Sequence, residues 1–164
     1  MNLSERSIVT TSHVTAIHTA PGSRLPMRSI ERVVAETGKG LVGDRYHGSR
    51  HRHVTVQSLD ELAEAERRHG APIDPGRTRR NITLSAGAIP RKPGHRWLVG
   101  SVELEVVRDA APCKLLEDAL GRDARLALSR RAGVVCRILS GGEIRVGDSV
   151  TFGLSADQRQ RDEG

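Results

Sequence analysis

At 164 residues, 37% of them hydrophobic, the chain can bury one substantial core, and no apolar run approaches the ~20 residues of a membrane-spanning helix. A formal net charge of +6 raises nucleic acid as a partner. Against that, Tyr46, Trp97 and Phe152 are the only aromatic residues, a poor platform for stacking bases, and the arginines are interleaved with acids rather than gathered in a stripe. A basic pocket for a small anionic ligand accounts for the charge equally well.

Met1-Asn2-Leu3-Ser4-Glu5-Arg6 lacks the apolar stretch of a signal peptide, and two cysteines do not make a disulfide framework. The expectation is a soluble, cytoplasmic protein with no membrane attachment. It has a flexible N-terminus over 1–10, one domain over 11–154 and a polar tail over 155–164.

Ser12 to His18 reads as a strand ended by the turn signal Pro21-Gly22. A second extended stretch covers Ser29 to Val34. Gly38 to Gly48 then packs four glycines into eleven residues, which demands unusual backbone angles or close approach. It is not a phosphate-binding P-loop, since no Gly-Lys-Ser/Thr ends it. Asp44 in this loop suits holding the turn better than acid–base work. His47, His51 and His53 fall close together and raise zinc, but no matching Cys/His pair stands elsewhere at structural-zinc spacing. Solvated or anion-facing loop histidines are the expectation.

Val54-Thr55-Val56 is a strand, and Ser58-Leu59-Asp60-Glu61 has the pattern of a capping box. The helix it opens runs to Arg68-His69 with Gly70 as its stop, its acids in the first turn and bases in the last complementing the dipole. Arg77, Arg79 and Arg80 run into a strand that begins at Asn81. Guanidinium forks suit phosphate, and an amide offers a donor and an acceptor to a heterocycle. A solvated charge run at a strand entrance is the competing reading.

Val102 to Val106 alternates apolar and charged residues, the period of a half-buried strand. Beyond it, Leu115, Leu116, Ala119 and Leu120 share one face of a helix that Gly121 could end. Pro112 suits the first helical position, which puts Cys113 second, among backbone N–H groups that Ala110 and Ala111 cannot cap. With Lys114 adjacent, such a setting lowers a thiol's pKa from ~8.5 into roughly the 3.5–7.5 range; the plain alternative is a packed cysteine. Cys136, in step with Val134 and Ile138 on a strand, reads as core. A short helix over Asp123 to Arg131 lies between them. Ser140-Gly141-Gly142-Glu143 reads as a tight turn, followed by strands at Ile144 to Val146 and Ser149 to Phe152. Short strands, frequent turns and two or three short helices predict a mainly β fold, barrel or sandwich.

Three stretches in this order resemble the MOSC family, named for the C-terminal domain of molybdenum-cofactor sulfurases. They are GLVGDRYHG (Gly40 to Gly48), RRNIT (Arg79 to Thr83), and APC (Ala111 to Cys113) together with GVVCRILSGGEIRVGDSV (Gly133 to Val150). The resemblance spans about Thr15 to Phe152. It implies a closed or partly open β-barrel with a cleft for the molybdenum cofactor, molybdopterin. It puts the family's signature cysteine on Cys113, as molybdenum ligand and catalytic residue or as sulfur carrier. It implies contacts from Arg79 and Asn81 to the cofactor's phosphate and pterin, and it puts Arg45 and His47 on the glycine-rich loop near that cleft; Arg80, beside Arg79, and Lys114, beside Cys113, complete the expected cofactor-binding set by their charge. The pyridoxal-phosphate desulfurase domain of larger members has no counterpart in this sequence.

The leading expectation is therefore a molybdenum-dependent oxidoreductase reducing small N-hydroxylated substrates, with electrons from a donor protein because no flavin, nicotinamide or iron–sulfur motif is visible. One alternative is a sulfur transferase that carries a Cys113 persulfide supplied by a cysteine desulfurase. Another is a non-catalytic barrel that binds an anion or nucleic acid.

Overall fold

The computed structural model describes residues 11–112 and 114–153. Eleven strands fall within them: β1 (Ser12–Thr19), β2 (Arg28–Ile30), β3 (Arg32–Glu36), β4 (Gly40–Leu41), β5 (Val54–Ser58), β6 (Ile82–Leu84), β7 (Arg96–Val99), β8 (Val102–Asp109), β9 (Val134–Ser140), β10 (Gly142–Arg145) and β11 (Ser149–Thr151). The helices are α1 (Leu59–His69), α2 (Lys114–Leu120) and α3 (Arg122–Ala127). None of them is long and apolar enough to cross a membrane.

Seven strands close on themselves in the order β1-β11-β7-β8-β9-β5-β6, with β2 added on the far side of β1. The fold is thus a mainly β, closed barrel with three helices, as expected. The seam is short: Ser12 pairs with Val150 and His13 with Ser149. Most neighbours are antiparallel, but β5 and β6 run parallel. A parallel pair needs a crossover, and α1 supplies it. A second sheet, β10-β3-β4, stands beside the barrel.

Apolar residues at alternate strand positions fill the barrel, among them Val14, Ile17, Val56, Ile82, Leu104, Val134 and Ile138. Trp97 is fully buried there and stacks on Phe152 with ring centroids 5.6 Å apart. Cys136 belongs to the same cluster and is fully buried, as its place in the strand alternation predicts. A second, smaller core of Leu62, Ala65, Ile73, Leu116, Ala127, Leu128 and Ala132 lies under the helices.

The α1 boundaries match the sequence reading. Ser58 caps it by accepting from Asp60 N–H, and Gly70 ends it at φ 82°, a left-handed angle glycine tolerates. The capping box does not close. Glu61 turns outward instead, accepting from Ile89 N–H at 2.8 Å and pairing with Arg91. With Asp60, which accepts from Gly87 N–H, it clips the 87–91 loop to the helix.

Other expectations need correction. The chain does turn sharply at Gly141, but Gly142 and Glu143, read as part of the turn, already belong to β10. β9 belongs to the barrel, whereas β10 pairs with β3 in the other sheet. A Cβ on Gly141 would stand 2.4 Å from Ala35 O, so the crossing point admits only glycine. Pro112 is not the first helical residue, because it lies in irregular chain ahead of α2. α3 ends at Ala127 rather than continuing to Arg131.

Candidate functional site

Four segments converge beside the barrel: the turn after β1, the glycine-rich loop, the approach to β6, and the approach to α2. Their convergence follows from local hydrogen bonding. Asp44 is buried and its Oδ1 accepts from Ala20 N–H at 3.0 Å, while Oδ2 accepts from Tyr46 N–H at 3.3 Å. Arg45 N–H in turn donates to Ala20 O at 2.8 Å. The glycine-rich loop is thereby fastened to the end of β1, and Asp44 holds the turn as its sequence context suggests.

The approach to β6 is fixed by a chain of buried polar groups. Thr78 Oγ1 donates to Gln57 Oε1 at 2.6 Å, and Gln57 Nε2 donates to Thr83 Oγ1 at 2.9 Å and to Pro75 O at 3.0 Å. Satisfied polar chains of this kind rigidify what they join. They present Arg79 with φ 64°, one of three non-glycine residues in the left-handed region among the described residues; Arg24 at φ 65° is another. Such backbone is unusual for a side-chain-bearing residue and tends to cluster where a site needs it. Both arginines line the same cavity.

That cavity measures about 90 Å³ and is walled by Ser23, Arg24, Arg45, Tyr46, Arg52, Arg79, Arg80, Ala111 and Leu115. No carboxylate is among these residues. The Tyr46 ring meets two guanidinium groups, 4.6 Å from Arg45 and 4.2 Å from Arg52, so its π-system offsets like charges that would otherwise repel. Arg45 is further oriented by Asp44 Oδ1 (3.3 Å), Met27 Sδ (3.4 Å) and Arg79 O (3.5 Å). Arg79 Nη1 donates to Leu25 O at 3.0 Å. A second cavity of about 290 Å³, lined by Pro26, Met27, Gly76, Arg77, Arg79 and Leu115, shares Arg79 and Leu115 with the first. A larger groove of about 620 Å³ runs beside α1, but Asp60, Glu61 and Glu64 share its wall with Arg91, Arg130 and Arg131. Its charges are answered from within.

Cys113 lies outside the described residues, as does the side chain of Ala119. The cavity wall contains Ala111 and Leu115, which bracket Cys113 in sequence. Leu115 does not share a buried face with Leu116: Leu116 is fully buried, while Leu115 is 36% exposed at the cavities.

The structure brings Arg45, Arg79 and Arg80 together. Arg80 reaches the cavity while fastened from behind. It is 2% exposed, and its Nε donates to Ala132 O at 2.7 Å and its Nη2 to Ala110 O and Ala111 O at 3.2 and 3.1 Å. One guanidinium therefore ties the start of β9 to the segment before Cys113. Asn81 is buried and engaged: Oδ1 accepts from Thr55 N–H and Oγ1–H, and Nδ2 donates to His18 O. It joins β1, β5 and β6 and does not line either cavity.

His47 and Lys114 do not line the cavities either. His47 Nε2 stands 2.9 Å from Glu36 Oε2, and this contact, with Lys39 nearby, holds the Glu36 carboxyl below its ordinary pKa. Lys114 is exposed. His51 is exposed as expected, but His53 is not a solvated loop histidine. It is buried, and its Nδ1 accepts from Ile138 N–H at 2.9 Å. Burial pulls its pKa below the ordinary value, opposed by the Ser49 and Arg50 carbonyls. His18 is also pulled down by burial, opposed by Asp74. Cys136 is the chemical opposite of a thiolate site, its pKa pushed up to about 12 by burial.

Sequence reasoning did not single out Ser23, Arg24, Met27 or Arg52. Arg24 follows a turn signal and Arg52 separates two histidines; neither position carries a periodicity that announces a site.

The donor set of the smaller cavity is cationic, which suits an anion. At water's share of liquid volume, ~30 Å³, its size is that of about three waters. It matches one phosphate-like group, with the remainder of any larger ligand lying outside. Among the described residues, no three His, Cys, Asp or Glu side chains cluster as a metal site.

A model of the MOSC domain matches residues 43–151. Among solved structures, the chain is similar to the YuaD protein from Bacillus subtilis, at 17% identity and a TM-score of 0.74, covering 86% of this chain and 94% of that one. It is also similar to YiiM from Geobacillus stearothermophilus (16% identity, TM-score 0.67, 87% and 75% covered) and YiiM from Escherichia coli (13%, 0.66, 90% and 71%). At these identities the likeness is one of fold. No curated protein matches the sequence.

Proposed function

Because the chain belongs to the MOSC domain family, which is known for molybdenum-cofactor binding, we propose that it binds that cofactor through the arginine cavity and reduces small N-hydroxylated compounds. The observation that carries the reading is the convergence of Arg24, Arg45, Arg52, Arg79 and Arg80 on one space, with no carboxylate among the described residues that line it and with Ala111 and Leu115, which bracket Cys113, in its wall.

The residues fit an anionic pterin. Arg45 and Arg79 would hold its phosphate, since planar forks accept two oxygens at once. Tyr46 offers its π-face to the guanidinium groups of both Arg45 and Arg52, which helps hold two like charges at one site. Arg80 acts through position: by holding the Ala110 and Ala111 carbonyls it fixes where the chain enters the Cys113 segment. A positive environment favours the thiolate form of a cysteine, and a soft thiolate is a suitable ligand for molybdenum. The cofactor, when bound, supplies two-electron redox chemistry that side chains cannot. The electrons would come from a donor protein.

The test is elemental analysis and pterin fluorescence on protein made in a cofactor-competent host. Molybdenum and pterin are expected in equal amounts, with pterin lost in Arg45→Gln/Arg79→Gln and molybdenum lost in Cys113→Ala. Full loading in the cysteine variant would refute the thiolate ligand. Normal pterin in the double arginine variant would refute the cavity assignment.

A further inference from the structure

One residue of β9 holds both ends of the glycine-rich segment. Ile138 O accepts from Gly38 N–H at 3.0 Å, and Ile138 N–H donates to His53 Nδ1 at 2.9 Å. His53 N–H also donates to Cys136 O at 3.1 Å. Between these two ends lie Arg45, Tyr46 and Arg52, three residues of the arginine cavity's wall. We infer that His53, neutral and carrying its proton on Nε2, is a positioning residue for that cavity: it clasps the segment to β9, and a proton added at Nδ1 opens the clasp and weakens anion binding. This rests on the arginine cavity holding the anionic group.

The acceptor decides the chemistry. A neutral imidazole has one N–H and one bare nitrogen, and the backbone N–H of Ile138 requires the bare one to be Nδ1. In the imidazolium both nitrogens are donors, so no ring flip restores an acceptor for Ile138. His53 and Ile138 are both buried, so water takes over the bond only if the segment moves. The packing there is tight: a Cβ on Gly40 would stand 3.2 Å from His53 O and 3.3 Å from His47 Cα. Burial, Arg137 on β9 and His51 in the segment oppose protonation, while the Ser49 and Arg50 carbonyls favour it, so the clasp opens below the ordinary histidine value of 6.5. Arg137 is itself paired with Glu105 on β8 at 3.4 Å, and His47 with Glu36 on β3 at 2.9 Å. Protonating His47 and His51 adds positive charge to the same segment and by charge alone would tighten an anion, so the two effects carry opposite signs.

Sulfate, whose charge is constant across the range, is the probe, titrated into the full-length protein by calorimetry with circular dichroism confirming the fold at each pH. The parent is expected to bind it at least fivefold more weakly at pH 5 than at pH 7.5. His53→Asn, whose side-chain oxygen falls near the place of Nδ1 and does not titrate, should match the parent within twofold at pH 7.5 and lose no affinity at pH 5. His53→Leu, which removes the acceptor, should bind at least fivefold more weakly than the parent at pH 7.5. Long-range proton–nitrogen NMR spectra at pH 7.5 read the ring directly and should find Nδ1 bare; with the His53→Leu comparison they keep the test alive if the parent unfolds at pH 5. A proton on Nδ1 at pH 7.5, a parent affinity that holds or rises at pH 5, an equal fall in His53→Asn, or His53→Leu binding like the parent would overturn the inference. A parent that binds no sulfate at either pH overturns the anion reading on which the inference stands, whereas sulfate binding indifferent to pH overturns the inference alone.

Discussion

Replacing Arg80 by lysine keeps the charge and removes the fork. In the native protein the Arg80 guanidinium reaches three carbonyls on two separate segments, at Ala132, Ala110 and Ala111. A lysine ammonium is a compact charge on a flexible stem; it can reach one of those segments but not bridge both. Hydrogen bonds from a charged donor contribute about 1.5–3 kcal/mol each, and a buried acceptor left without a partner costs on that order too. Losing one or two of the three therefore predicts about 2–6 kcal/mol, a large share of the ~5–15 kcal/mol that holds a typical domain together. Urea unfolding followed by far-UV circular dichroism reads this as a lower midpoint with an unchanged slope. Hydrogen exchange adds a local signature, faster amides at Ala110 and at the start of β9. A loss under about 1 kcal/mol with unchanged exchange would refute the view that fork geometry, rather than charge, holds the two segments.

Three further outcomes are expected. Left-handed backbone costs a residue with a Cβ roughly 1–2 kcal/mol, so Arg79→Gly should be about 1 kcal/mol more stable than Arg79→Ala by urea midpoint, while both bind phosphate more weakly than the parent. His18 and His53 both have pKa values pulled below the ordinary 6.5 by burial, so the unfolded chain takes up protons first as pH falls through 6.5. Stability is then fully present above about pH 6.5 and declines toward pH 5; a midpoint constant between pH 5 and 7 would contradict this. Iodoacetamide at pH 8 should leave Cys136 unmodified in the folded protein, since its thiol is fully buried with a pKa of about 12, and mass spectrometry should find all native label on Cys113.

The parts of the fold that local chemistry controls were legible. Ser58 and Gly70 announce the ends of α1, and Cys136 shows its burial by keeping step with Val134 and Ile138. What escaped depends on distant partners. Gly141 and Gly142 read as a tight turn, but that the chain crosses there to a second sheet depends on Ala35 O, which packs against Gly141. His53 is drawn inside by Ile138 N–H, far along the chain. Arg79 and Arg80 are adjacent and identical in type, yet one is held at the cavity wall by Leu25 O and the other is locked to three internal carbonyls. Leu115 and Leu116 divide in the same way. A run of like residues reveals that a site is near, but only the folded backbone decides which of them face it.

The seam has a consequence for how the molecule is made. β11 is the last of the described strands and bridges β1, the first of them, to β7. Until it leaves the ribosome the ring stays open, with two strand margins free to recruit a stray chain. All the described residues that line the two arginine-bearing cavities precede β11 in sequence, so a nascent chain can carry those side chains on an unclosed scaffold. Ribosome-stalled chains ending before Ser149 should accordingly be protease-sensitive and prone to self-association, and adding the final strand should abolish both properties together.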